Sequence, residues 1–332
     1  MMQKLRDELD ATDEQIARLI GKRLQLARQI GEIKYSSQAS IIDQTRENEV
    51  ARHWKELGAK YDIPYIESIA RDLITASRAV QLRARQAKKV AIIGDGKMGR
   101  LLQGQFNEVG HRTRRFEPSR VNGIEWAEIV VLAVPQNGVL DLMRSLQAGL
   151  KGKIVMDIAS DKSRIFHEAE KIALDNGFNY VGVHPLFNVI EGPFTERVVI
   201  IPSSADGGRA REVEEFWSSA GFQTQIADID EHERGMSVAQ VMVHFYLQAL
   251  AYSLKEYSAE LGVNLTDFET RTLRRVMEII KDVDANDQVI KEIRRENPFS
   301  ASAVASSLSN MKRIAEGDLV DDIHAEKRPR RF

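Results

Sequence analysis

Apolar residues recur at intervals of three and four through residues 1–86, and Leu5, Leu9, Ile16, Leu19, Leu26, Ile30 and Ile33 fall on one seam. That period is helical, and its length predicts a first helix of about nine turns. A second helix is expected over Ile42–Leu57, started by Asp43, and a third from Tyr65 to about Arg85, just past Pro64. One long helix and two shorter ones cannot close a core against themselves. The seam therefore predicts pairing with a second copy, an intertwined homodimer.

The pattern changes at Lys88. Val90–Ile93 is a short β-branched run ending in glycine, as a buried parallel strand does. Strand-like runs follow at Ile129–Val134, Ile154–Ile158, Tyr180–Val183, Val198–Ile201 and Thr224–Ala227, most of them separated by helical stretches. This alternation predicts a doubly wound α/β domain of Rossmann type. From about Glu231 the spacing of Met236, Val241, Phe245, Leu250, Leu254 and Leu261 is helical again, up to Gly317. The expected organisation is a three-helix domain at 1–86, an α/β domain at 87–230, a helical domain at 231–320 and a basic, disordered tail at 321–332.

Composition narrows the classes. The chain of 332 residues is 43% hydrophobic and 29% charged, which suits soluble globular domains. No apolar run approaches the ~20 residues needed to span a bilayer, so no membrane association is expected. The absence of cysteine excludes disulfides, thiolate metal ligands and a cysteine nucleophile, and suits the cytoplasm. A net charge of −2 gives no general attraction to nucleic acid. The basic end, KRPRRF, is read as a solvated tail.

Two cations interrupt the seam of the first helix. Arg23 and Lys34 are eleven residues apart, so they share a face and lie about 16 Å apart along it. Burying an unpaired cation costs several kcal/mol, so a face bearing them calls for an anion. Arg6, seventeen residues before Arg23, points elsewhere and could meet the same pocket only from a partner chain. The second helix begins Asp43-x-x-Arg46-Glu47, and the third carries Ser77 and Gln81 on one face. Singly, each is better read as a surface or interdomain salt bridge, or as an interhelical salt bridge of a dimerisation module. Together they suggest a pocket for a small dianion with hydroxyl and ether oxygens.

These residues resemble the all-helical chorismate mutase family over the whole of 1–86. The resemblance is carried by Leu5-Arg6, Asp10-x-x-Asp13, Arg23-x-x-x-Ala27, Lys34, Asp43-x-x-Arg46-Glu47 and Ser77-x-x-x-Gln81. It implies that Arg23, with Arg6 of a partner subunit, clamps the two carboxylates of chorismate. Arg46 lies close to the same anion, and Glu47 orders the ring hydroxyl. Lys34 and Gln81 donate to the ether oxygen, where charge develops as its bond to carbon breaks. A pericyclic rearrangement needs no nucleophile, metal or cofactor, only a compact substrate and fixed donors at that oxygen.

In the α/β part, Gly94-Asp95-Gly96-Lys97-Met98-Gly99 follows a strand and opens a helix, the context in which this fingerprint binds a dinucleotide. Glu117, read as ending the second strand, favours NAD through the adenine ribose hydroxyls, with Arg115 and Arg120 close by. Val131 to Pro135 is read as the end of the fourth strand, placing Val134 and Pro135 on the nicotinamide side. Two further strand ends carry polar groups: Asp157 to Lys162, with Ser160, and Gly182 to Phe187, with His184. His184 could serve as a base beside the nicotinamide, or simply shape the turn before Pro185.

GDGKMG, Asp157-x-x-Ser160-x-Lys162, His184-Pro185-Leu186-Phe187 and Glu231-His232 resemble the prephenate dehydrogenase family from residue 89 to about 260. The resemblance implies that His184 accepts the ring hydroxyl proton while hydride passes to NAD and the ring carboxylate departs as CO₂. Ser160 would contact the hydroxyl or nicotinamide, Lys162 and His232 would be polar groups at the rim, and Gln240 a polar contact on the long helix. Two positions depart from the pattern. Val243 stands where the family's bacterial members have a carboxylate-binding arginine, and Asn188 where they have glycine. Lys162, Arg197, Arg271 and Arg274 are candidates to supply the missing cation, with His244 a further one.

The domain order fits one pathway: chorismate to prephenate, then prephenate and NAD to 4-hydroxyphenylpyruvate, CO₂ and NADH, in tyrosine biosynthesis. An alternative is an active mutase whose second domain acts on arogenate or only binds prephenate. A β-hydroxyacid dehydrogenase or imine reductase would also use a GxGxMG turn with a helical tail.

Overall fold

A computed structural model describes residues 2–37, 43–81, 87–190, 195–284 and 287–317. The expected basic tail, and the last turn expected of the third helix, lie outside these residues. No helix among the described residues is long and apolar enough to cross a membrane.

The first three elements are α1 (Met2–Ser36), α2 (Gln44–Tyr61) and α3 (Ile66–Gln81). Asp43 caps α2 as expected, its carboxylate accepting from the Arg46 N–H at 2.9 Å. The helix outruns its expected end at Leu57, because Asp62 in the left-handed conformation closes it by donating to Gly58 O. Residues Ile66, Ala70 and Leu73 of α3 are buried, and Ala27 and Gly31 are the buried positions of α1. The seam of α1 is uncovered: Leu19 and Ile33 are each 67% exposed. Gly31 is buried because α3 passes so close that a Cβ there would stand 2.9 Å from the Cα of Gln81.

Seven strands follow: β1 (Lys89–Ile93), β2 (Arg112–Phe116), β3 (Ile129–Leu132), β4 (Ile154–Asp157), β5 (Asn179–Pro185), β6 (Arg197–Pro202) and β7 (Gln223–Ile226). They form one sheet in the order β2-β1-β3-β4-β5-β6-β7. Every pairing is parallel except β5 with β6, where His184 lies opposite Val199. Helices α4 (Lys97–Glu108), α5 (Val139–Leu150), α6 (Phe166–Asn176) and α7 (Ala210–Ser219) connect them. The run read as a fourth strand is therefore the third, and it stops at Leu132, short of Val134. Val90, Ile92, Leu102, Phe106, Val131, Met156, Val183, Ile200 and Trp217 form the buried core. This strand order reverses at β1 and β3, which places a ligand crevice at the carboxyl ends of those two strands.

The helices and the sheet up to Ile226 form one compact unit, apart from Ser160–Glu168, which group with residues 227–332 in a second. That second unit contains α8 (Ile229–Met236), a π-helical turn (Ser237–Met242), α9 (Val243–Glu260), α10 (Arg271–Asp284), α11 (Asp287–Glu296) and α12 (Ser300–Ala315). Val241, Ile293 and Ala303 make its small core, packed by Met242 and Val304.

Candidate functional site

Helices α1 and α3 bring Arg23, Ser77 and Gln81 of the N-terminal polar set together. Arg23 reaches from α1 to α3, donating to Leu73 O at 2.9 Å and to Ser77 Oγ, and Ser77 in turn donates to Leu73 O at 2.6 Å. Burial pulls the Arg23 guanidinium below its ordinary range, but an arginine remains a cation. One turn further along α3, Gln81 Nε2 donates to Ser77 O at 3.2 Å. Among the described residues its Oε1 is buried without a hydrogen-bond partner, a costly arrangement that a ligand donor would relieve, or an amide flip that turned Nε2 toward a ligand acceptor. Lys34 is half-buried. On α2, Glu47 is gripped by Arg78 of α3, with Nε to Oε1 at 2.6 Å and Nη2 to Oε2. Arg46 is exposed and paired with Glu49 at 2.8 Å, and Arg6 is exposed on α1. Arg78 was missed by the sequence reading, where only its place beside Ser77 could have signalled it.

In the sheet, each glycine of the turn after β1 has its own reason. Gly94 has φ 138°, and a Cβ there would lie 2.0 Å from Ala133 O, so the turns after β1 and β3 touch. A Cβ on Gly99 would lie 2.4 Å from Gly94 O, which fixes the close approach of α4. Gly96, the cap of α4, would meet nothing within 4 Å. Open space above a helix N-terminus is what a pyrophosphate needs, so these residues fit a dinucleotide. Lys97 is exposed beside it, and Met98 packs against the core. Glu117 follows β2 immediately and is exposed, as is Pro135, while Val134 is half-buried. Arg115 is drawn to Asp95 of the glycine turn at 2.9 Å.

His184, near the end of β5, is only 1% exposed. Asp157 at the end of β4 is an anchor: its carboxylate accepts from Tyr180 Oη at 2.7 Å and from the Ala159 N–H at 3.0 Å. Burial first, and then Asp157, raise the Tyr180 pKa well above its ordinary value. In the second unit, Lys162 is fully buried, Ser160 half-buried, and His232 Nδ1 lies 3.1 Å from Glu233 Oε1. Asn297 Nδ2 donates to the other Glu233 oxygen at 2.9 Å. Among the described residues, Gln240 Oε1 and His244 Nδ1 are buried without hydrogen-bond partners around the π turn. Burial lowers the His244 pKa. Arg197 and Arg271 are exposed, and Arg274 pairs with Glu269 at 2.7 Å.

A three-helix module that joins Arg23 to Ser77, followed by an α/β sheet whose glycine turn fits a dinucleotide and by a helical extension, fits an isomerase joined to an oxidoreductase. Residues 5–82 match the model of chorismate mutase type II, and residues 79–224 match that of the prephenate dehydrogenase nucleotide-binding domain. The chain therefore carries a chorismate mutase domain followed by a prephenate dehydrogenase nucleotide-binding domain, and with them both activities. It is 27% identical over 279 residues to a T-protein of Enterobacter agglomerans, covering 79% of this chain and 72% of the relative. A T-protein of Haemophilus influenzae is 24% identical over 311 residues, covering 86% and 78%. Among solved structures, the fold is similar to a prephenate dehydrogenase from A. aeolicus in complex with hydroxyphenyl propionate and NAD+. That likeness has a TM-score of 0.57 and 17% identity, over 73% of this chain and 94% of that one. An arogenate dehydrogenase from Synechocystis gives a TM-score of 0.51 and 16% identity, over 71% and 93%.

Proposed function

We propose that this protein converts chorismate to prephenate in residues 1–86 and oxidatively decarboxylates that prephenate with NAD in the remainder, as a cytoplasmic homodimer of tyrosine biosynthesis. Arg23 and the partner's Arg6 hold the two substrate carboxylates, with Arg46 near the same anion. Glu47 accepts from the ring hydroxyl. Asp43 sets the start of α2 and so the place of Arg46 and Glu47. Lys34 and Gln81 donate to the ether oxygen as its bond to carbon breaks and a carbon–carbon bond forms. The observation that carries this half is Arg23 spanning to Ser77, one turn from the buried, unpartnered Gln81 Oε1.

In the second half, NAD supplies the hydride acceptor when bound. The turn of Gly94, Gly96 and Gly99, with Lys97 and Met98, receives its pyrophosphate, Glu117 accepts from the adenine ribose, and Val134 and Pro135 border the nicotinamide. His184 takes the ring hydroxyl proton as the carboxylate leaves as CO₂ and the ring becomes aromatic. A positioned base of this kind is worth about 10²–10⁴-fold. Ser160, Lys162 and His232 provide polar contacts, and Lys162, Arg197, Arg271 and Arg274 are the candidates for the missing substrate cation. The uncovered α1 seam supports the dimer.

The test is NADH absorbance from purified protein given chorismate and NAD, repeated with prephenate, with arogenate and with NADP. Signal from chorismate and from prephenate, strongest with NAD, is the expected outcome. Chorismate consumed without NADH from prephenate, but with signal from arogenate, would replace the substrate of the second half.

A further inference from the structure

Arg78 lies on α3 between Ser77 and Gln81, yet its guanidinium turns to α2 and takes both oxygens of Glu47. The two side chains are only 19% and 15% exposed. On the same helix the Arg46–Glu49 pair is 67% and 52% exposed, the kind of surface pair that contributes little. A two-point grip on a largely buried carboxylate is different in kind: it fixes the plane of the acceptor as well as its charge. It also leaves a second lone pair on each oxygen for another donor.

We propose that Arg78 is a positioning residue of the mutase, which aims Glu47 as the acceptor for the ring hydroxyl and cancels its charge in a pocket built for a dianion. This rests on the reading of Glu47 as the hydroxyl contact. Without Arg78, the Glu47 carboxylate would stand unbalanced near the two carboxylates of the substrate and be free to turn. The first effect opposes binding and the second loosens the geometry of the reacting complex, so the two separate in KM and kcat.

The experiment uses the full-length protein with Arg78→Met, Arg78→Lys, Glu47→Gln and the double variant Glu47→Gln/Arg78→Met. Chorismate kinetics are measured beside NADH formation from added prephenate and thermal melting. For Arg78→Met, KM for chorismate should rise and kcat fall, each by about 10-fold, the scale of one charged hydrogen bond. Arg78→Lys should restore KM, since it returns the charge, and leave kcat low, since one ammonium cannot hold both oxygens. In the Glu47→Gln background, Arg78→Met should change little, because its effect acts through that carboxylate. Wild-type mutase kinetics in Arg78→Met with only a lowered melting temperature would overturn the proposal, as would full effects of both changes that simply add. If Arg78→Met does not fold, the proposal still fails should Arg78→Lys show unchanged kcat. No chorismate turnover by the unmodified protein would instead bring down the mutase reading itself.

Discussion

The helical module and the sheet domain dispose of their apolar residues in opposite ways. In β1, β3 and β4 the apolar positions are at most 5% exposed, with cover coming from the helices of the same chain. In α1 the apolar seam is half to two-thirds exposed, and α3 covers a different face of that helix. A parallel sheet linked by crossover helices brings its own cover on both faces. A single long helix brings none. The nucleotide turn is accordingly built within one chain, whereas Arg6 stands exposed on α1.

Five variants would break or sharpen that contrast. The largest effects should separate the two halves cleanly. His184→Asn should cut NADH formation by about 10²–10⁴-fold and leave chorismate turnover intact. Lys34→Ala should do the reverse, by about 10²-fold or more. Loss of both activities in either variant would show that the halves are coupled. Next, Leu19→Glu places a charge on the open seam. Mutase activity should fall at least about 10-fold while NADH formation from added prephenate persists, the order of a misplaced clamp. A full mutase rate would mean the seam needs no partner.

Gly31→Ala probes the covered face of α1. The added methyl must push the Gln81 backbone, so stability should drop by about 1–3 kcal/mol and kcat by about 10-fold. Unchanged melting and kinetics would show that α3 gives way freely. The smallest effect belongs to the sheet domain. His111 is buried against Phe106 and Phe216, and burial, assisted by Lys88, lowers its pKa to about 4. Unfolded, it takes up its proton near pH 6.5, so the unfolded state binds more protons between those values. Stability from this residue is full above pH 6.5 and is lost as pH falls toward 4, by at most about 3 kcal/mol. Melting temperatures of wild type and His111→Gln from pH 7 to 4 should converge if this is right, and run parallel if it is not.

What could be read in the sequence follows the same division. The seam, the cap at Asp43 and the buried strands β1, β3 and β4 announce themselves through apolar period or run. Strand β2, legible only through Glu117 at its end, does not: its sequence Arg-Thr-Arg-Arg-Phe is an edge strand paired on one side only, so no apolar run marks it. Nor did anything in β6 signal that it runs against β5, since strand direction is set by the connection and not by composition. The π turn before Val243 is equally silent, because it shifts the hydrogen-bond pattern and leaves the apolar spacing helical. The candidate residues came from resemblance to known families more than from spacing. Arg78 escaped because a lone arginine on a helix reads as solvated until its partner is seen.

The reach of α1 has a genetic consequence. Arg6 and Arg23 ride on one rigid rod, about 26 Å apart, so in the proposed dimer each chain serves its own pocket with one arginine and its neighbour's with the other. Two alleles damaged at different arginines would therefore still assemble one whole pocket in a mixed pair, leaving the other doubly broken. Such defects would complement when co-expressed, although each alone would abolish the isomerisation.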